Sequence, residues 1–511
     1  MSNGQNGSQA LAKTFHLLGN AQTPADFQEE SALCLPMKRA PAMTSASAPD
    51  STRLIADLLN CAGLPSAAAR QAEVRGVDPV FPTRLRVAQT GACSIAASAL
   101  AAAHLHTLRG GAPQRLHIDA AMAAAAMRSN QYLRIDHAKP PRPTDKITGF
   151  YPVQGGRWIF MHSNFANLRA RNLGVLGLSA DSSTAEEVAR ETARWNGIEL
   201  ETRIHETGGC GAFVRSREEW LALAQAQAVR IEPVLEVTRI GDAPPLPLAA
   251  ADRPLAGVRV LDLTRVLAGP TCGRALAEQG AQVMRLSRAD LPDSGMFDLD
   301  TGLGKLNAFL DLREPDGQQA MQDLLQTTDV FLQSYRPGAL DARGLSPRDL
   351  ARIRPGMVYV TLDAWGFTSD WQQRRGYDTV VQSANGMAWR EDGQKPQFLP
   401  VSAQDYIAGY LLALGATAAL ARRHSEGGSW QVRVSLARCG EWVYDQGLVP
   451  QDAMGAARTE LDPDQLAGYL MDSPSPAGLL THLAPAALMS GTPGRWELPA
   501  VPLGTHAPRW P

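Results

Sequence analysis

The chain has 511 residues, which at about 150 residues per domain predicts two to four domains. With 44% hydrophobic and 20% charged residues, its composition excludes a collagen-like repeat, a coiled coil and a largely disordered chain. Lys and Arg number 49 against 51 Asp and Glu, so the net charge of -2 gives no general attraction for nucleic acid or an anionic membrane.

The six cysteines are scattered without CxxC or paired Cys/His spacing, which predicts neither a metal site nor a disulfide framework and favours a reducing compartment. No basic region followed by an apolar core opens the chain, and the apolar stretches fall short of the roughly 18 residues that span a bilayer. We therefore expect a cytoplasmic protein without a membrane segment. Residues 1–51, rich in Ser, Ala, Gln and Pro, are expected to be mostly mobile.

A pattern of Ala-rich helix, Gly-Gly turn and strand occurs twice, at residues 97–118 and 414–434. Aligning Gly110 with Gly427 gives an offset of 317 positions, which places Gln114 on Gln431. The pattern indicates two related modules, although any two Ala-rich helices followed by a turn share these features.

A small α+β unit is predicted between the two copies. Residues 149–162 are typical of a hairpin with a Gly-Gly turn, and helices are predicted over 185–196 and 218–227. Proline is concentrated in residues 244–254 without apolar periodicity, which predicts a linker and a domain boundary near residue 250.

The segment after the linker predicts an α/β domain with a parallel sheet. Short apolar runs favour strands that alternate with helical windows. The predicted elements are strands at 258–263, 282–286, 329–333 and 357–362, and a helix at 269–278. The turn at 264–270 lies where open parallel sheets bind ligands, but it carries neither GxGxxG nor the lysine-bearing phosphate loop.

Serine hydrolase chemistry has little support, because no GxSxG elbow is present and His104, His106 and His162 lack acidic and serine partners at a recognisable spacing. Asp405 stands at the start of an apolar helix, where a carboxylate caps backbone N–H groups or, if it lines a pocket, serves as a nucleophile kept ionised by the helix dipole. Arg375, Tyr377 and Asp378 precede it and either form a helix-capping turn or bring a second carboxylate to the same site.

Four blocks together resemble CoA-transferase family III, which includes formyl-CoA transferase, carnitine CoA-transferase and α-methylacyl-CoA racemase. The blocks are residues 254–270, 334–340, 375–378 and 405–409. Residues 149–244 resemble the family's small domain, and 474–511 resemble the closing segment of a fused or rearranged subgroup. The resemblance implies a Rossmann-like parallel-sheet core with a smaller α+β domain, partly duplicated.

The implied domains are a degenerate first module at 52–250, a CoA-binding and catalytic module at 251–450 and a closing segment at 451–511. By resemblance, Asp405 is the nucleophile that attacks an acyl-CoA carbonyl, releases CoA thiolate and then carries CoA as an aspartyl thioester. Tyr377 and Asp378 match positions that flank this site. The resemblance assigns CoA contacts to Val266, Leu267, Ala268, Arg288, Ser334, Tyr335, Arg336 and Arg375.

Three departures from the family pattern bear on activity. The usual small-residue run is replaced by residues 363–371, which contain Trp365 and Trp371. Position 88, matched to Asp405 by the repeat, is Ala88, so one active site per chain is expected. The racemase branch has histidine where this chain has Tyr377, which disfavours two-base racemization.

We therefore expect a CoA-transferase acting on an acyl-CoA and a carboxylic acid, with CoA as substrate and no tightly bound cofactor. The alternatives are an acyl-CoA racemase or isomerase and a catalytically inactive CoA-binding protein. The family's interlocked homodimer leaves two forms open for this chain: a homodimer, or a monomer whose two modules imitate one.

Overall fold

A computed structural model describes residues 49–141, 145–291 and 294–511. These residues belong to one compact unit. The expectation of a mobile segment over residues 1–51 falls largely outside the described residues; within it, Asp50 caps a helix that begins at Ser51.

Helices lie before, between and after the strands along the described residues. In chain order they are α1 Ser51–Cys61, α2 Val87–Leu108, α3 Ala120–Ala126, α4 Ala166–Val175, α5 Ala185–Thr192, α6 Gly197–Glu206, α7 Arg217–Leu221, α8 Ala224–Ile231, α9 Ala268–Glu278, α10 Met296–Asp300, α11 Pro315–Leu325, α12 Pro347–Ile353, α13 Asp378–Ala384, α14 Ala403–Glu426, α15 Leu436–Asp445 and α16 Pro463–Ala467.

The strands form four sheets. In chain order they are β1 Ala72–Arg75, β2 Leu116–Asp119, β3 Arg134–Ile135, β4 Gly149–Val153, β5 Arg157–Met161, β6 Gly211–Phe213, β7 Glu236–Gly241, β8 Arg259–Asp262, β9 Gln282–Ser287, β10 Lys305–Phe309, β11 Val330–Gln333, β12 Val358–Asp363, β13 Ser429–Ser435, β14 Leu470–Ser475, β15 Gly478–Leu483 and β16 Leu488–Met489.

The main sheet has seven strands in the order β10-β9-β8-β11-β12-β13-β7, all parallel except β7. It confirms the α/β prediction and the four strands expected after residue 250. Strands β11 and β12 are buried along their whole length, as expected of a parallel sheet covered on both faces. The linker does not separate the sheet from what precedes it, since β7 pairs with β13 from the other side of the predicted boundary.

Strand β10 was not predicted, because Lys305 and Asn307 interrupt its apolar pattern. Both are nevertheless buried. The Lys305 Nζ donates to Asp262 Oδ2 at 2.8 Å and to the Pro270 carbonyl at 2.8 Å. A buried ammonium is stable here because a carboxylate and a carbonyl replace its water.

The small unit contains the antiparallel sheet β4-β5-β6 with helices α4 to α8 around it. The predicted hairpin is confirmed, with Gly155 and Gly156 at positive φ in its turn. The single helix predicted over 218–227 is wrong: the chain forms α7 and α8, separated at Ala222 and Leu223.

The repeated pattern folds as the same succession twice: α2, β2 and α3 in the first copy and α14, β13 and α15 in the second. Helices α2 and α14 pack against each other. Each strand ends in a residue whose side chain caps the following helix: Asp119 accepts the N–H of Ala121, and Ser435 accepts the N–H of Arg438.

The match of Ala88 to Asp405 is wrong by one residue. The Asp78 carboxylate accepts the N–H groups of Ala88 and Gln89, the second and third residues of α2. Asp378 accepts those of Gln404 and Asp405, the second and third residues of α14. The offset is therefore 316 at the helix starts, and Gln89 occupies the place of Asp405, because one copy has an extra residue between the helix start and the Gly-Gly turn.

Helix α2 is long and apolar enough to cross a membrane, but 78% of its most apolar stretch is buried inside the protein. Cys93, Cys210, Cys272 and Cys439 are free and buried. Cys61 is disulfide-bonded, so the expectation that the cysteines form no disulfide is wrong for this residue.

Candidate active site

Asp405 is the third residue of α14 and lies beyond the carboxyl ends of the parallel strands. It is partly exposed, although nearly every other residue in the first half of α14 is buried. Among the described residues, no hydrogen bond to its carboxylate is found, so its oxygens remain open to a ligand.

Asp378 lies beneath the start of α14 and is only 3% exposed. Its Oδ2 accepts the N–H of Gln404 at 3.1 Å and of Asp405 at 3.2 Å, and its Oδ1 accepts from Gln382 Nε2. Burial raises the pKa of Asp378 to about 6, opposed by these three hydrogen bonds. Asp378 therefore caps the helix that carries Asp405.

The pKa of Asp405 is raised well above its ordinary value, by burial and by the negative charge of Asp378. Both effects oppose the helix dipole, which was expected to favour the ionised form of Asp405. Asp378 already takes the N–H groups at the start of the helix, so burial and like charge outweigh the dipole. Among the described residues, Asp378 accepts three hydrogen bonds and Asp405 accepts none, which favours ionisation of Asp378 over ionisation of Asp405.

Tyr377 lies beside this pair. Burial raises the pKa of its phenol, which lies within electrostatic range of Arg265, Arg375 and Asp405. The His162 ring from the small unit stacks on the Tyr377 ring, with 4.1 Å between centroids and 15° between planes. The structure thus brings a small-unit residue to the carboxyl edge of the main sheet.

The turn between β8 and α9 contains Val266 at φ 70°. A β-branched residue in the left-handed region is strained, and such strain is found mostly at functional sites. Leu267 and Ala268 are each 3% exposed and begin α9. A Cβ at Gly409 would lie 2.7 Å from the Ala268 carbonyl oxygen, so glycine lets α14 approach this turn closely.

The remaining predicted CoA contacts lie around the same edge. Tyr335 is 42% exposed, and its phenol lies within electrostatic range of Arg265 and Arg288. Ser334 is partly exposed and Arg336 is exposed. Arg288 is paired with Asp290 at the end of β9.

Arg375 adds a further positive charge to this edge. Burial lowers the pKa of Arg375, and the nearby charges of Arg336 and Arg171 lower it further. Arg336 and Arg171 therefore each lie close enough to Arg375 to repel it, an arrangement that suits a polyanion.

The unusual segment 363–371 is an ordered turn built on tryptophan. Trp365 is fully buried, and its Nε1 donates to the Arg375 carbonyl at 3.3 Å. Glu232 Oε1 accepts the N–H groups of Phe367 and Thr368. The segment that departs from the family pattern therefore packs against the loop that carries Arg375 and fixes its main chain.

Sequence reasoning missed His162 and Arg265. His162 is 7% exposed, and neither ring nitrogen has a partner among the described residues. Burial lowers its pKa to about 3, so the ring is neutral. Arg265 lies over the Phe165 ring at 5.4 Å. The sequence carries no signal for His162, because it lies 243 positions before Asp405.

Within the described ranges, no cluster of His, Cys, Asp and Glu side chains has the arrangement of a metal site. The fold and the site define an α/β protein with two neighbouring carboxyl groups at the carboxyl edge of a mostly parallel sheet. Residues 255–506, just under half of the chain, match the family described as CoA-transferase family III.

Curated relatives agree with this assignment. An acetyl-coenzyme A transferase, nodX, from Hypoxylon pulicicidum is 30% identical over 320 residues, covering 58% of this chain and 54% of the relative. A succinyl-CoA:glutarate CoA-transferase from Homo sapiens is 33% identical over 147 residues, covering 26% of this chain and 34% of the relative. The chain therefore spans about half the length of nodX and about a third of the length of the human transferase.

Among solved structures, the crystal structure of the hypothetical protein Rv3272 from Mycobacterium tuberculosis is 32% identical. The match covers 37% of this chain and 57% of that chain, with a TM-score of 0.35.

Proposed function

We propose that this protein transfers CoA from an acyl-CoA donor to a carboxylic acid through a covalent intermediate on Asp405. The observation that carries the proposal is the contrast between the two carboxyls. Asp378 is buried and fully hydrogen-bonded, whereas Asp405 is partly exposed and has no partner among the described residues.

The first half of the reaction uses Asp405 twice. Once deprotonated, one Oδ attacks the acyl carbonyl carbon, the carbon–sulfur bond breaks and CoA leaves as thiolate, which gives a mixed anhydride. The thiolate then attacks the Asp405 carboxyl carbon, the donor acid leaves as carboxylate and an aspartyl-CoA thioester remains.

The second half runs these steps in reverse with a new acid. The acceptor carboxylate attacks the thioester carbon and CoA thiolate leaves. The thiolate then attacks the acceptor's carbonyl carbon, which gives the new acyl-CoA and returns Asp405 as carboxylate. No proton is gained or lost overall, so the enzyme needs no separate acid or base.

CoA is the substrate that suits the surrounding charges. Its phosphates would face Arg171, Arg336 and Arg375. Arg288, which directly follows β9, would add a further positive charge. Val266, Leu267 and Ala268 would lie beside its pantetheine or adenine, and Ser334 and Tyr335 would line the same groove. In this proposal Asp378 and Tyr377 position Asp405.

The test is intact-protein mass spectrometry after mixing the protein with acetyl-CoA or succinyl-CoA, the donors suggested by the names of the relatives. The wild type is expected to gain a CoA adduct, or a hydroxamate when hydroxylamine is present, mapped to Asp405. Asp405→Asn should gain neither. Asp452→Asn, which changes an exposed aspartate away from the site, is the matched control. A wild type that turns over either donor without an adduct would contradict the mechanism.

Racemization remains the second candidate, because His162 brings an imidazole against Tyr377, the position where the racemase branch has histidine. Its low pKa makes it a poor base. Exchange of the α-proton of an acyl-CoA with deuterium from solvent, without an acceptor acid, would favour this candidate. CoA binding without adduct, exchange or turnover would favour an inactive binding protein.

We also propose that the protein acts in the cytoplasm. We further propose that it is a monomer whose two modules imitate the family's dimer, because α2 and α14 pack together within one chain. Light scattering on the purified chain distinguishes this monomer from a homodimer.

A further inference from the structure

A cavity of about 810 Å³ lies at the amino edge of the main sheet, at the opposite end of the strands from Asp405. Arg259 and Gln282, the first residues of β8 and β9, line it. Glu497 and Leu498 form part of its wall. None of the residues assigned above to CoA or to catalysis lines this cavity.

The cavity carries more positive than negative charge. Its lining includes four arginines and three carboxylates: Arg253, Arg259, Arg354, Arg423, Asp252, Asp329 and Glu497. Two of these carboxylates are already paired, Glu497 with Arg253 at 2.9 Å and Asp329 with Arg423 at 2.8 Å. Arg259 and Arg354 are left with the exposed Asp252 as their only carboxylate among the described lining residues.

Arg423 has an unused hydrogen-bonding edge although it is only 1% exposed. Its Nη1 donates to Asp329 Oδ1 at 2.8 Å and to the Gly356 carbonyl at 3.3 Å. Its Nε and Nη2 have no partner among the described residues. These two nitrogens form one edge of the guanidinium, whose spacing matches two oxygens of a carboxylate or phosphate.

Arg354 follows α12 and lines the same cavity. Its side chain makes no hydrogen bond or ion pair among the described residues, and its Nε is buried. Leaving the buried guanidinium of Arg423 and the buried Nε of Arg354 without partners costs free energy, which an anion bound in the cavity would offset.

We propose that this cavity binds a small oxyanionic ligand, whose phosphoryl or carboxylate group is held by Arg354 and Arg423. The site is independent of the Asp405 site, since the sheet separates the two. A phosphoryl group and a carboxylate group both present paired oxygens to these arginines. Binding experiments therefore have to distinguish a phosphorylated ligand from a dicarboxylate.

The test is isothermal titration calorimetry of the full chain with inorganic pyrophosphate and, separately, succinate. At least one probe is expected to bind the wild type, and the probe that binds identifies the source of the oxyanion. Arg354→Gln should weaken binding about tenfold, since it removes charge-assisted hydrogen bonds. It should leave folding intact, because Arg354 has no partner to lose.

Arg352→Gln is the matched control. Arg352 lies on α12, is 78% exposed in its side chain and pairs with Asp349, so its loss should leave binding unchanged. Arg423→Lys keeps a positive charge toward Asp329 but removes the free edge, and should also weaken binding. The proposal is overturned if neither probe binds, if Arg354→Gln binds as the wild type does, or if binding is lost in Arg288→Gln and kept in Arg354→Gln.

Discussion

The Asp378 carboxylate accepts the backbone N–H of Asp405 at 3.2 Å. This bond joins the two acidic residues of the site through the main chain of one and the side chain of the other. The carboxylate of Asp378 thereby fixes the start of α14, while its charge raises the pKa of the Asp405 carboxyl.

Asp378→Asn should shift the pH dependence of CoA transfer. In the proposed mechanism Asp405 attacks only when ionised, so kcat/KM of the wild type should rise with pH through the raised pKa of Asp405. Asparagine removes the neighbouring negative charge and keeps an oxygen that can accept an N–H. The acidic limb of the kcat/KM profile should therefore move to lower pH. An unmoved limb would show that the charge of Asp378 does not control Asp405.

His162→Phe should give a protein at least as stable as the wild type but less active. Phenylalanine keeps the stack on Tyr377 and removes two buried nitrogens that have no partner among the described residues. If the ring contacts the substrate, kcat/KM should fall about tenfold, the value of one hydrogen bond. Thermal unfolding and steady-state kinetics measure the two effects. Full activity in this variant would limit His162 to packing.

Asp363→Asn should make the protein more stable at alkaline pH. Burial raises the pKa of Asp363 to about 8 from an ordinary value of 3.8, although its Oδ1 accepts the N–H groups of Trp365 and Gly366. Its stabilising contribution is present below the ordinary pKa and is lost as pH rises through about 8. The variant has no such loss.

Urea unfolding at about pH 5 and about pH 9 measures this difference. The stability of the variant relative to the wild type should increase with pH by about 2 kcal/mol or more. Other titrating groups contribute equally to both proteins, so they cancel in the comparison. A difference that is constant with pH would show that Asp363 is ionised throughout.

Gly409→Ala should lower both stability and activity. The added Cβ would lie 2.7 Å from the Ala268 carbonyl oxygen and 2.7 Å from Thr271 Cβ, so α14 must move away from α9. Overpacking of this kind costs about 1–3 kcal/mol, and the shift displaces Asp405 from the turn at Val266.

Gly174→Ala is the control for the Gly409 variant. It adds the same methyl group to helix α4, where nothing lies within 4 Å of the new Cβ. Alanine is the better helix former, so this control should be neutral or slightly stabilising. Equal thermal unfolding temperatures in the two variants would contradict the close contact at Gly409.

The parallel sheet was predictable because apolar runs and intervening helical windows are local features of the sequence. Strand β10 was not, since Lys305 is buried only because Asp262, 43 positions earlier, lies opposite it. The position of Asp405 at a helix start was likewise predictable from its neighbours. The raised pKa of Asp405 was not, because it depends on burial and on the charge of Asp378, whose distance from Asp405 is fixed by tertiary packing.

The residues around Asp405 show the same division. Arg375, Tyr377 and Asp378 form a compact motif and were found from it. His162 reaches Tyr377 from the small unit, and no spacing in the chain encodes that contact. The one-residue error in the repeat also has a physical cause, since the Gly-Gly turns and the helix starts of the two copies align with different offsets.

At the position that matches Asp405, the first copy of the repeat has Gln89, whose amide makes contacts of its own. The Nε2 of Gln89 donates to the Pro49 carbonyl and to Ser51 Oγ at 3.2 Å, so the start of α2 binds a preceding segment of the chain itself. An aspartate there would repel that carbonyl oxygen. Gln89 therefore holds the chain in place where it enters α1, so the same position in the repeated pattern serves the packing of the protein in the first copy.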